Sequence, residues 1–267
     1  MGPSGLFRPS LQPFKYATGI LTTPNRGATK TNHGRVAPAG LPRSPQKGLT
    51  SGMRITKHEH AALRLEHDGQ TLLIDPGTFT APLDGLSGVV GVVITHEHPD
   101  HWTAAHLEQI LQEAPGIPIL STAGVASAAA DEVPDAVTVV APGETHTVGA
   151  FTLRFFGGAH AVIHESLPAV ENLAVLVNDE LYYPGDSYTV PESVRVTTLA
   201  APLGAPWLKI GEAMDFVLAV APRRCFGTHD MTLSPIGRSM HRQRLHWATE
   251  QDGGQFFELD PGMSLEA

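Results

Sequence analysis

One cysteine, Cys225, stands in a chain of 267 residues. A lone thiol excludes an intrachain disulfide framework and a cysteine-built zinc site. It fits a reducing compartment, and a cytoplasmic location is expected. No apolar run approaches the roughly 20 residues that cross a bilayer, so no membrane span is expected. Acidic residues are missing from positions 1–52, which hold seven Lys or Arg, no Asp or Glu, and seven prolines. Removing that segment leaves 18 − 7 = 11 basic against 27 acidic residues, a net of −16 over 53–267. A body that acidic is a poor binder of polyanions, which makes nucleic acid an unlikely partner.

What is present supports a substantial core. The chain is 42% hydrophobic and 17% charged, long enough for one large domain or two small ones. Residues 1–52 show no sustained periodicity and are expected to be a disordered, basic, Pro-rich extension. Three explanations compete: a start codon set too early, a targeting peptide, or a basic interaction tail. The first is preferred, because MRITKHEHAALRLEHDGQTLLIDPG reads as a natural beginning, with the folded domain spanning 53–267.

From Met53 the pattern is regular. AALRLEH and TLLID read as strands joined by a turn at Asp68-Gly69. GVVGVVIT (88–95) is a β-branched run suited to a strand buried on both faces. Residues 103–113 have helical spacing. IPIL is a strand, and TAGVASAAADE a helix. Strand-like pieces follow at 138–140, 145–148, 151–156, 172–177 and 180–183. A helix is expected over about 209–220, a strand at 223–227, and a final helix after Pro235. Hairpins alternating with helices in both halves imply an α/β domain of sheets covered by helices.

The chemistry concentrates in THEHPDHW (95–102). Residues two apart on an extended segment point the same way, so His96 and His98 can grip one ion. Pro99 keeps His98 extended and suits the first turn of a helix, where Asp100 and His101 can face a second ion. Imidazole and carboxylate are ligands that zinc, manganese or iron(II) accept. The bland reading, a histidine-rich surface loop, is weakened by three more strand-like runs that each end in a candidate ligand. These are FTLRFFGGAH at His160, ELYYPGD at Asp186 and RRCFGTHD at His229.

THEHPDH, GGAH, PGDS and GTHD, in that order, resemble the metallo-β-lactamase-fold hydrolases over roughly residues 53–260. The resemblance implies a single-domain, four-layer αββα sandwich with two divalent metal ions at one edge of the sheets. It places His96, His98 and His160 on one ion, and Asp100, His101 and His229 on the other, with Asp186 bridging. Asp75, in LLIDPG, matches an early aspartate that orients ligands. The nearest branch includes ascorbate-6-phosphate lactonase, a likeness carried by HAVIH (160–164), Asn172 and APWLK (205–209).

The expected activity is water-driven hydrolysis of a small ester, lactone or phosphoester, with Asp100 also orienting the water. The expected partner is a small-molecule substrate, and a homo-oligomer is compatible with the sequence. His164 would share a face with His160 if that segment were helical. It is the candidate general acid, against a histidine that merely packs nearby. Lys209 and Trp207 are candidate substrate contacts, against a solvated lysine and a core tryptophan. Cys225 reads as a small buried apolar residue, Glu97 as facing away from the metals, and His58, His60, His67, His106, His146, His241 and His246 as surface or packing residues. Rival functions are a phosphodiesterase or nuclease of the same superfamily and a metal-dependent sensor without turnover. The sensor is disfavoured because all seven ligands are in place.

Overall fold

The computed structural model describes residues 52–134 and 136–267, so the expected extension over residues 1–52, apart from Gly52, lies outside the described residues. Among the described residues, the hydrophobic runs become fourteen strands in two seven-stranded sheets. The first sheet runs, in spatial order, β14 (Ser264–Glu266), β1 (Arg54–Lys57), β2 (Leu63–His67), β3 (Gln70–Ile74), β4 (Val89–Val93), β5 (Ile119–Ser121) and β6 (Val137–Val139). The second runs β13 (Gln255–Phe257), β12 (Arg224–Thr228), β11 (Thr198–Pro202), β10 (Leu181–Tyr183), β9 (Leu173–Val177), β8 (Phe151–Gly157) and β7 (Thr145–Val148).

Each sheet is antiparallel on one side and parallel on the other. The β3–β4–β5–β6 and β10–β11–β12–β13 ladders are parallel. Parallel neighbours need crossovers. Helices α1 (Ala104–Glu113) and α2 (Ala123–Ala129) cross from β4 to β5 and from β5 to β6, and α3 (Ile210–Val220) and α4 (Pro235–Glu250) from β11 to β12 and from β12 to β13, while helix-free segments join β3 to β4 and β10 to β11.

Side-chain alternation along the strands separates three cores. On β9, Leu173, Val175 and Val177 join residues of both sheets, including Ile55, Leu65, Leu72 and Ile74, between the sheets. The intervening Ala174 and Leu176 pack with Phe216, Val217 and Leu245 beneath α3 and α4. On β3 and β4, Leu73 and Val92 face Leu107 and Ile110 of α1, whereas Leu72 and Val93 face the other sheet. Two sheets, each with helices on its outer face, give the expected four-layer αββα sandwich.

Three local details differ from expectation. Pro99–His101 is a separate turn, closed by the His101 N–H donating to the His98 carbonyl at 3.0 Å. Thr103, extended at φ −142° and ψ 149°, then caps α1 by accepting from the His106 N–H, so Asp100 and His101 precede the helix instead of forming its first turn. Residues 161–170 form an irregular loop rather than a helix, so His160 and His164 share no helical face. Four strands were not anticipated: β1, β11, β13 and β14. In β11, TLAAP carries two alanines and a proline, residues depleted in strands. It forms because all five positions are buried between β10 and β12.

Candidate metal centre

Strand direction gathers the site. β4 runs parallel to β3, so Asp75, after β3, lies at the same edge as His96, His98, Asp100 and His101, after β4. β1 and β3 both run antiparallel to β2, which brings the β1–β2 turn with His60 to that edge too. In the second sheet β8 and β10 are both antiparallel to β9, and β10, β11 and β12 are parallel. The segments after β8, β10 and β12 therefore deliver His160, Asp186 and His229 to one end. The Leu173 N–H donates to the Thr95 carbonyl at 2.9 Å and ties the two edges together.

Four imidazoles are anchored at Nδ1; Nε2 of His101, His160 and His229 makes no hydrogen bond among the described residues, and that of His96 meets His98 Nδ1. His101 Nδ1 donates to Asp75 Oδ2 at 2.7 Å, and His229 Nδ1 to the Gly204 carbonyl at 2.7 Å. His160 Nδ1 donates to the Ala161 carbonyl at 2.5 Å, and His96 Nδ1 to Thr95 Oγ1 at 3.0 Å. Each anchor fixes the tautomer and leaves Nε2 as the donor atom toward the cluster.

The free atoms converge. His96 Nε2 and His98 Nδ1 are 3.1 Å apart. Asp186 Oδ1 is 3.2 Å from His101 Nε2, while Asp186 Oδ2 is 3.1 Å from His229 Nε2 and 3.4 Å from His160 Nε2. Asp100 Oδ2 lies 3.2 Å from His229 Nε2. Two nitrogen or oxygen ligands on one tetrahedral ion at 2.0–2.1 Å sit about 3.3 Å apart, which these spacings match. His101 Nε2, His160 Nε2, His229 Nε2 and Asp186 Oδ1 are buried and make no hydrogen bond among the described residues. Buried polar atoms normally find partners, and four orphans aimed at one volume fit a cation site. His96, His98 and His160 form one compact triad, and His96, His101 and Asp186 another.

Outer contacts hold these groups still. Asp75 accepts from the Thr95 N–H at 2.8 Å, Thr95 Oγ1 at 2.7 Å and Tyr183 Oη at 2.9 Å, besides His101. It takes a left-handed φ of 48°, and the next glycine, Gly77, packs so closely on the Asp100 carbonyl that a Cβ would overlap it. Asp186 receives the Trp207 indole N–H at 2.9 Å, and its own N–H donates to Asn172 Oδ1 at 3.0 Å.

The electrostatics follow from this packing. Burial opposes charge on both His101 and His229, but Asp186 and the neighbouring carboxylates outweigh it. His101 rises well above the ordinary imidazole range, and His229 rises to about 9. Burial also opposes ionisation of Asp186 and Asp100, yet the surrounding histidines hold both carboxyls well below the carboxylate range. Burial and the neighbouring His101 push His96 down. The metal-free cluster is thus a mesh of imidazolium and carboxylate in which a cation would displace protons.

The structure brings His96, His98, Asp100, His101, His160, Asp186 and His229 together, with Asp75 directly behind His101. Trp207 is buried and committed to Asp186, lying edge-on to His160. Lys209 stays outside the cluster, its side chain 78% exposed and 3.8 Å from Glu212. His164 is exposed and borders a cavity shared with His98 and His160. Glu97 lies against Gly124 at the start of α2.

His60 is the residue that sequence reasoning passed over. Fully buried, it accepts from the Met231 N–H at Nδ1 (3.3 Å), which leaves the proton on Nε2 for Asp100 Oδ2 at 3.1 Å. Proximity alone groups His60 with Asp100 and His229, but this tautomer makes it a hydrogen-bond donor to Asp100 rather than a ligand. Its carbonyl also accepts the His229 N–H at 2.7 Å. The only early hint is the HEH spacing at 58–60, because the partners of His60 lie 40 and 171 residues away. A second unforeseen contact is the wholly buried pair of Lys57 Nζ and Asp230 Oδ1 at 3.1 Å, which braces the segment carrying His229.

Comparison with known proteins identifies the family. The model of the beta-lactamase superfamily domain matches residues 54–229. Protein Rv0786c of Mycobacterium tuberculosis is 35% identical over 205 residues, covering 75% of this chain and 94% of that protein. A UPF0173 metal-dependent hydrolase of Aeropyrum pernix is 36% identical over 84 residues, 30% of this chain and 34% of its own length. The fold is similar to that of Igni18, a metallo hydrolase of Ignicoccus hospitalis, with a TM-score of 0.63 at 18% identity over 80% of this chain and 98% of that one. On its sequence and its sandwich architecture alike, the chain belongs to the beta-lactamase superfamily.

Proposed function

We propose that this protein is a metal-dependent hydrolase that uses a dinuclear site to activate water on a small ester or lactone. The observation that carries the reading is the convergence of three unpaired, buried ring nitrogens and the unpaired Asp186 Oδ1 at ligand spacing, each with its opposite atom anchored. His96, His98 and His160 would hold one ion, Asp100, His101 and His229 the other, and Asp186 would face both. Zinc suits the imidazole-rich donor set, and manganese or iron also accept it. When bound, the ions polarise the substrate oxygen and lower the pKa of water.

The chain's own groups do the positioning. Asp186 is fixed from two sides by Trp207 and Asn172. Asp100 is the more accessible of the two cluster carboxylates, 23% exposed against 4% for Asp186, and His60 orients it toward incoming water. His164 lines the cavity with Nδ1 2.7 Å from Ser166 Oγ, and in its imidazolium form it would give a proton to the departing alkoxide and regain one from the attacking water. In the net reaction the water oxygen bonds to the acyl carbon and the acyl–alkoxy bond breaks. One water proton reaches the alkoxide, and the other leaves when the product acid ionises.

The test is a panel of esters, lactones, thioesters and phosphodiesters with protein stripped of metal and reloaded with zinc or manganese. Metal-dependent hydrolysis of an ester or lactone, reduced about 10²-fold or more in Asp100→Asn, is expected. Stoichiometric ligand binding at full metal occupancy with no product over hours would instead support a sensor.

A further inference from the structure

The mouth of the metal cluster opens into a cavity of about 460 Å³, within the range of small-molecule sites. His98 and His160 form its inner wall, and its outer wall comes from the loop of residues 161–170. That loop presents Val162, Ile163 and Leu167 at 77%, 40% and 50% exposure. Apolar side chains standing in water beside a reactive cluster have no core to explain them and mark a surface that meets an apolar ligand.

The loop is also held in place. The His160 N–H donates to the Val170 carbonyl at 3.0 Å and closes its base. The Ala161 N–H donates to the Asp186 carbonyl at 2.8 Å, and the Gly158 N–H to the Asn172 carbonyl at 2.9 Å. Its apolar tip is therefore registered against the segment that carries Asp186.

Charge narrows the ligand further. Neither Lys nor Arg lines this cavity, and its one acid is Glu165. The adjoining cavity against Trp207 and Ser187 likewise lacks a cation and includes Glu212. Lys209, the cation that the sequence offered, lines neither cavity and pairs with Glu212. The Gly124 N–H at the start of α2 is taken by Glu171 at 3.4 Å. A phosphate or carboxylate substituent remote from the metals would meet no fork of cationic donors and would face acidic side chains of its own sign.

We infer that the substrate is a carboxylic ester or lactone with an uncharged, apolar chain seated against Val162, Ile163 and Leu167, rather than a phosphorylated or otherwise anionic molecule. The inference rests on the hydrolase reading and names the substrate class of the same site.

The test measures kcat/KM of the metal-loaded protein on p-nitrophenyl esters from acetate to octanoate, beside a hemisuccinate ester and bis-p-nitrophenyl phosphate. A rise of about two- to four-fold per methylene until the cavity is filled is expected, with the two anionic substrates turned over more slowly than the neutral ester of matching length. The double variant V162K/L167K should flatten that slope, while Ile236→Lys, an exposed change on α4 at a residue that does not line the cavity, should preserve it. Ligand-observed NMR of 1-butanol to 1-octanol on metal-free protein gives a second readout. Binding should strengthen with chain length and lose that trend in V162K/L167K. Hydrolysis with a flat chain-length profile, or with preference for an anionic substrate, would overturn this inference and leave the hydrolase reading standing. No hydrolysis of any member by fully metal-loaded protein would remove both.

Discussion

Replacing Asp75 with Asn probes the support of the cluster without touching a candidate ligand. The carboxylate collects four hydrogen bonds: the Thr95 N–H on Oδ1 at 2.8 Å, and Thr95 Oγ1 (2.7 Å), His101 Nδ1 (2.7 Å) and Tyr183 Oη (2.9 Å) on Oδ2. Asn has a single carbonyl oxygen. In the better of its two orientations that oxygen serves the three side-chain donors, and the NH2 faces the Thr95 N–H, leaving a buried backbone donor unpaired at about 1–3 kcal/mol. The substitution also removes the charge opposite His101, and breaking a buried ion pair from one side costs about 3–5 kcal/mol. The terms overlap, so a loss of about 3–5 kcal/mol in the metal-free protein is expected, read by urea unfolding. Zinc affinity, read by competition with a chelating dye, should fall about 10- to 100-fold as His101 loses its orientation. Tyr183→Phe deletes one donor to the same carboxylate and should cost about 1.5–3 kcal/mol, a milder change that keeps the fold measurable. If Asp75→Asn lost less than about 1 kcal/mol and kept its zinc affinity, the role given to Asp75 would be refuted.

Zinc binding at neutral pH should release about two protons, from His101 and His229, measured by calorimetry in buffers of different ionisation enthalpy; the share from His229 should vanish well above pH 9, where that residue has already lost its proton. His229 rises from an ordinary value near 6.5 to about 9 on folding, so its contribution to metal-free stability is complete below about 6.5 and disappears as pH rises through about 9. Asp186 is held below its ordinary range, so its contribution is present above about pH 4 and is lost in acid. Melting of the metal-free protein should therefore peak between these limits. Lys57→Met should destabilise by about 2–4 kcal/mol in thermal or urea unfolding, tempered because Arg238 and Arg242 still stand 3.5 and 3.7 Å from Asp230. Cys225 is fully buried, and burial pushes its thiol up to about 12, so Ellman's reagent should leave it unmodified until the protein unfolds.

The seven clustered side chains were legible because their signals are local. His96 and His98 alternate on one extended segment, and His160, Asp186 and His229 each close a strand-like run. Helix-covered sheets were legible because hairpins alternate with helices and GVVGVV is apolar on both faces, whereas the four-layer order came only from the resemblance to the metallo-β-lactamase fold. His60 was illegible because its importance comes from long-range register: the β1–β2 turn reaches Asp100 only after β1, β2, β3 and β4 assemble. The proline-bounded loop leaves Trp207 open between a substrate contact and a core tryptophan; its indole N–H turns inward to Asp186, a contact across 21 residues that no spacing rule reveals. Strand β11 was hidden by a composition poor in β-formers, and it exists because its neighbours bury it.

Metal stoichiometry tests the dinuclear centre most directly. Purified protein reconstituted with excess zinc, desalted and measured by inductively coupled plasma mass spectrometry should hold about two ions per chain. Asp186→Ala, which removes the carboxylate facing both ligand sets, should hold no more than about one and lose hydrolysis. Two ions and full hydrolysis retained in Asp186→Ala would contradict the assignment.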